Sequence, residues 1–127
     1  MMVSFEGAQA FDEIAKRWAL HDGRIHSIVV SRAEGAEVAV EIDCRPRHES
    51  AVGQLRLRFE GVVRFDFAWS EENDFYVVSG YKAVVRPSGF YLSLDPYDDR
   101  DTAVDARDGS VVEARRVQAD FMMKASS

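Results

Sequence analysis

Cysteine is nearly missing from this chain: Cys44 is the only one in 127 residues. A single thiol excludes an internal disulfide framework and points to a reducing, cytoplasmic compartment. Proline occurs 3 times and glycine 8 times, too sparsely for a collagen-like, linker-like or low-complexity chain. No apolar run approaches the roughly 20 residues that a membrane-spanning helix needs. The opening Met1-Met2-Val3-Ser4-Phe5-Glu6 has no basic start followed by an apolar stretch, so no signal peptide is expected. Positive charge is short as well, with 16 Lys plus Arg against 22 Asp plus Glu and a net charge of −6. That balance argues against nucleic acid and against anionic membranes, both of which attract basic surfaces. It suits a basic protein partner, whose opposite field speeds encounter.

What remains is ordinary globular material, 46% apolar and 30% charged. A chain of this length makes one domain, residues 1–127, and buries roughly two-thirds of its unfolded surface. Phe11, Ile14, Ala15 and Trp18 recur at i, i+3, i+4 and i+7, which predicts a helix over about 8–20 with Gly23 as its stop. After Gly23 the apolar period falls from 3.6 to 2. Ile25, Ile28, Val29 and Val30 mark a strand over 24–32, and Val38, Val40 and Ile42 a second with an acidic face. Ala33 to Ala36 link them, with Gly35 free to take positive φ. A surface loop follows from Cys44 to Gly53.

Leu55, Leu57 and Phe59, then Val63, Phe65, Phe67 and Trp69, alternate with polar residues as two strands around Gly61, a turn or a bulge. Phe65, Phe67 and Trp69 read as core. A bent strand is expected within 75–86, a turn at Pro87-Ser88-Gly89 and a strand from Phe90 to Leu94. Residues 95–109 form a polar loop. Residues 111–123 fit a strand better than a helix, given Val111-Val112 and the turn signal Asp108-Gly109. The expected fold is α+β: an N-terminal helix packed on a curved antiparallel sheet of about six to seven strands, since hairpin-length links leave no room for parallel crossovers. Such an open sheet has two edges, which allows homodimerisation through an edge strand.

Chemistry is thinly marked. His21-Asp22 would need further ligands from other helices to hold a metal, and the bland reading is a helix end with local backbone bonding. Cys44 and His48, at C-x3-H spacing, could join His21 or His26 only in a loosely spaced zinc set. No phosphate-cradling glycine loop is present. The run Asp95-Pro96-Tyr97-Asp98-Asp99-Arg100-Asp101 opens a segment holding six Asp against two Arg up to Asp108. Counted from Asp99 as a calcium loop, it has Val104 where a glycine is needed. No metal, cofactor or catalytic residue is therefore assigned. The segment reads either as a solvated loop or as a docking loop with Tyr97 as aromatic anchor. Arg56, Arg58, Arg64 and Asp66, opposite Glu37, Glu41 and Asp43, resemble a cross-strand charge ladder.

The stretches LHDGRIHSIVV (20–30), LRLRFEGVVRFDF (55–67) and GFYLSLDPYD (89–98) make the layout resemble small bacterial immunity proteins of polymorphic toxin systems. The resemblance spans roughly residues 14–100. It rests on the His21-Asp22 start, the Phe59-Glu60-Gly61-Val62 step and the Phe90-to-Pro96 segment. It implies a cytoplasmic protein, not an enzyme, that binds a cognate toxin and neutralises it by occlusion. The expected contact surface is Asp95, Tyr97, Asp98, Asp99 and Asp101, with Glu71, Glu72 and Asp74 at a neighbouring strand end. The competing expectation is a small-ligand-binding domain whose apolar pocket, between helix and sheet, is lined by Trp18, Phe65, Phe67 and Trp69. An enzyme using His21, Asp22 or Cys44 ranks third.

Overall fold

The structure, a computed structural model, describes residues 1–32, 34–68, 70–71 and 77–125. The elements are β1 (Met2–Glu6), α1 (Ala8–Lys16), β2 (Arg24–Arg32), a 3₁₀ turn (Glu34–Ala36), β3 (Val38–Arg45), β4 (Val52–Asp66), β5 (Lys82–Arg86), β6 (Gly89–Asp95) and β7 (Gly109–Met123). The fold is α+β, one short helix on a seven-stranded antiparallel sheet. The strand order is β2-β3-β4-β7-β6-β5, with β1 attached to β7. β7 is the spine. β4 runs along one side of it, while the other side is shared by β6, against residues 109–114, and β1, against 118–122.

Alternation in β3, β4 and β7 sends Ile42, Leu57, Phe59 and Phe121 to one face, where Phe11, Ile14 and Leu20 cover them. Phe11 meets Phe90 edge-on at 5.8 Å and leans on Phe59 at 6.5 Å. Each such side chain contributes roughly 1.5–3 kcal/mol when fully buried, so the single helix is held by its packing rather than by its nine residues of backbone bonding. The opposite face carries the expected charge ladder in part: Arg56 and Arg58 meet Glu41, but Arg64 turns to Glu113 and Glu37 to Arg116. Glu41 receives Arg56 and Arg58, both at 3.2 Å, and Glu113 receives Arg64 and Arg86, both at 2.9 Å.

The helix is shorter than its apolar spacing suggests. It stops at Lys16, and the chain turns through Trp18 at φ 53°. The Ala19 N–H reaches Ile14 O at 3.1 Å and the Trp18 N–H reaches Ala15 O at 3.4 Å, the pairing that closes a helix through a left-handed residue. Trp18 and Ala15 are therefore exposed, and Ala19 and Leu20 fill the core instead. Gly23 does not end the helix. It is needed for close approach, since a Cβ there would sit 2.8 Å from Cys44 Sγ and 3.0 Å from Leu20 O.

Other boundaries shift for identifiable reasons. β1 escapes notice because Met2–Glu6 is a short strand just ahead of the helix. The two strands expected around Gly61 are one. Gly61 adopts φ 60° inside β4, and the register against β7 slips between Val62 and Arg64. Phe65, opposite Val112, is 44% exposed instead of core and stacks on Phe67 at 6.0 Å, whereas Phe67 is partly buried against the core as expected. Cys44 lies in β3, not in a loop. Of the bent strand expected within 75–86, β5 is 82–86. Val77 adds one bridge to Arg24, and 72–76 lie outside the described residues. Gly35 does turn the β2–β3 link, at φ 72°, and 111–123 is strand.

Candidate functional site

The link between β6 and β7 is where the structure departs most from a solvated loop. Two antiparallel neighbours can be joined by two to five residues; here 13 intervene between Asp95 and Gly109. They fold back over the sheet and bury the second face of β6. Tyr91 and Ser93 are as inaccessible as Leu92 on the helix side.

Asp108 organises that covering. Its side chain is fully inaccessible and that of Lys82 is 2% exposed. The Lys82 ammonium donates to both carboxylate oxygens at 3.1 Å, the Tyr91 hydroxyl to Oδ2 at 2.6 Å, and the N–H groups of Tyr97 and Asp105 at 2.9 and 3.1 Å. Lys82 also donates to Ala103 O at 2.8 Å. One buried pair thus fixes the loop at residues 97, 103, 105 and 108. Burial by itself would raise the Asp108 carboxyl. The hydrogen bonds from Tyr91, Tyr97, Lys82 and Asp105 overcome that and hold it below its usual range. Burial, and then the bond to Asp108, push the Tyr91 phenol well above its ordinary value.

The exposed acids brace the loop's own turns. Asp98 accepts from the Arg100 N–H at 3.0 Å and Asp101 from the Ala103 N–H at 2.9 Å. Asp105 holds Arg107 through two side-chain bonds of 3.0 and 2.8 Å, and the Arg107 guanidinium drives its carboxyl down to about 2. Arg107 in turn stacks on the Tyr97 ring, 3.6 Å from its centroid. Tyr97 stands 61% exposed on this base. Beside it lies an open concavity of about 760 Å³ lined by Asp95, Tyr97, Asp98, Asp99 and Arg100 against Ser79 and Gly80.

Asp95, Tyr97, Asp98 and Asp99 thus line one concavity, and Asp101 is exposed beside them, its N–H bonded to Asp98 O at 3.2 Å. Glu71 is exposed, five residues beyond the end of β4. Glu72 and Asp74 lie outside the described residues. Sequence reasoning missed Lys82, Tyr91 and the anchoring role of Asp108. One signal was available: residues 89–94 contain no charge on either parity, as suits a strand covered on both faces.

The other sequence candidates are dispersed. Burial, then the neighbouring Asp43 charge, raise the Cys44 thiol to about 12, leaving it protonated beneath Ala19. His21 and Asp22 sit 3.5 Å apart, and Asp22 also faces Arg47 at 3.4 Å. Among the described residues no three His, Cys, Asp or Glu gather as a metal would require, and no helix is long and apolar enough to cross a membrane. Of the apolar lining expected between helix and sheet, Phe67 packs against the core, but the described members are not brought together. Trp18 packs with Arg47 near the start of β4, Phe65 and Phe67 lie at its far end, and Trp69 is outside the described residues. A separate cavity of about 400 Å³ opens where β7 changes neighbours from β6 to β1. Its Arg58 and Arg116 are already paired, with Glu41 and Glu60 and with Glu37 and Glu60.

No protein family, no curated protein and no solved structure matches this chain.

Proposed function

We propose that this protein is an immunity protein that binds a cognate bacterial toxin domain in the cytoplasm and neutralises it by occlusion, with no catalysis of its own. The observation that carries the reading is the loop over 96–108, far longer than its strands require and locked from beneath by the Lys82–Asp108 pair. Burying two charges is costly even when they are paired. A surface held rigid in that way binds with little ordering cost. Tyr97 is the anchor, and Asp95, Asp98, Asp99 and Asp101 set the charge that a basic partner meets. The resemblance to small immunity proteins supports the same assignment.

The test is capture from the host lysate by the tagged chain, beside a Tyr97→Ala/Asp98→Lys/Asp99→Lys variant. The expected result is one stoichiometric protein that kills cells when expressed alone, spares them when this chain is co-expressed, and is lost by the variant. A toxic partner that the variant retains equally well would remove the loop from the interface. A captured partner without toxicity would overturn the neutralising role.

A further inference from the structure

We propose that β2 is a self-pairing edge, through which two copies of this chain join into one continuous antiparallel sheet. This inference is independent of the toxin assignment. Among the described residues, the outer side of β2 is bonded only at its first residue, where Arg24 bridges Val77. A free edge offers its N–H and C=O groups to other strands, and folded proteins blunt it with charge, proline, bulges or brevity. The other strands with an open side, β1 and β5, have five residues each, and β5 carries Lys82 and Arg86 at its ends. β2 has nine residues. Its register against β3 shifts at His26, but from Ser27 to Ser31 it holds no charge, proline or glycine. Val29 and Val30 stand 53% and 45% exposed there.

Symmetry points to the occupant. Two equal edges pair about a two-fold axis normal to the sheet, which sets the strands antiparallel and keeps each face on its own side. Opposite residues in such a pair share a face, so the axis passes through a residue. Ser27-Ile28-Val29-Val30-Ser31 reads alike in kind in both directions about Val29. With the axis there, Val29 meets Val29 of the second copy, Ile28 meets Val30 and Ser27 meets Ser31. No charge stands among them. Ile28 and Val30 lie opposite Ile42 and Val40 of β3, both fully buried, and so stand on the helix side. Pairing brings four aliphatic side chains together there and carries each core across the junction. Branched cross-strand neighbours of this kind stabilise a sheet. A second copy supplies the match by construction, and a foreign strand does not. β7 and β6, which bear the loop over 96–108, lie three and four strands from β2, so the dimer leaves both loops uncovered.

The test is sedimentation of the full chain over a concentration series, beside Val29→Lys, Val29→Cys and Ser31→Cys. The parent is expected to double its mass by roughly 1 mM. Val29→Lys sets two like charges against each other on the axis and should weaken the dimer roughly tenfold or more. Under oxidation Val29→Cys should crosslink into dimers, because directly opposite residues stand about 4.5–5.5 Å apart at Cβ. Ser31→Cys should not, because its two copies would lie about 13 Å apart. The native Cys44 is buried and does not compete. A parent chain still monomeric at roughly 1 mM would overturn the proposal and leave the edge to a foreign strand. So would a dimer that Val29→Lys leaves intact, or crosslinking at Ser31→Cys equal to that at Val29→Cys.

Discussion

The same charged side chains do different work in two parts of this molecule. On the open face of the sheet, Arg56, Arg58, Glu41 and Glu60 form a solvated ladder with contacts of 3.1–3.2 Å. Beneath the loop over 96–108, Lys82 and Asp108 meet at 3.1 Å out of reach of water. The distances hardly differ, but the surroundings do. In water an ion pair gains little over its separated partners, because solvent already satisfies both charges. In the buried case no solvent waits as an alternative partner, so removing either member strands the other. The ladder decorates a sheet that hydrophobic packing already fixes, whereas the buried pair decides where thirteen residues of backbone go.

The comparison is easiest to break at Asp108. Asp108→Ala leaves the Lys82 ammonium, the Tyr91 hydroxyl and two N–H groups without their acceptor, and should cost about 3–5 kcal/mol in urea unfolding. Proteolysis within 97–107 should accelerate alongside. A cost near that of a surface pair would erase the distinction. Acid probes the same contact without mutation. The native Asp108 carboxyl lies below its ordinary value of 3.8, so the unfolded chain binds the proton first as pH falls. The stability it contributes is therefore complete above about pH 5 and fades below pH 4, as pH falls through the native value. In Asp108→Ala that portion of the acid transition should be missing.

Tyr91→Phe removes one of the five bonds to the carboxylate and should cost about 1.5–3 kcal/mol, the range for a hydrogen bond to a charged group. Hydrogen exchange should loosen first at the Tyr97 and Asp105 amides. On the open face, Glu41→Gln should cost about 1 kcal/mol or less. That small effect should shrink further in high salt, where exposed charges are screened. The Asp108→Ala effect should persist there.

The architecture was legible because period-2 alternation in β3, β4 and β7 and period-3.6 spacing in α1 are set by which side chains meet the core. Among the described residues seven strands are present, as expected, though by a different division: β1 is added, and the two strands around Gly61 are one. The errors have local causes. Trp18 matched the helical stripe by spacing, but the backbone leaves the helix two residues before it. Phe65 matched the core pattern of β4, but it lies near the end of that strand and stays 44% exposed. Of the candidate site, Tyr97 and its acids could be singled out from composition alone. Lys82 and Asp108 could not, because nothing local says that a lysine in one strand and an aspartate 26 residues later will share a buried space. That information is tertiary.

The placement of β7 governs the order of events during synthesis. The strand that joins β1, β4 and β6 spans 109–123, so it emerges from the ribosome after all of its neighbours. Until then β1 has no sheet partner, β4 is paired only with β3, and the face that α1 covers is half built. Long-range strand pairing of this kind is slow, and the waiting strands present unsatisfied backbone edges. For this protein the hazardous interval is set by the time needed to translate one loop and one strand, and a pause at codons 96–123 would lengthen it.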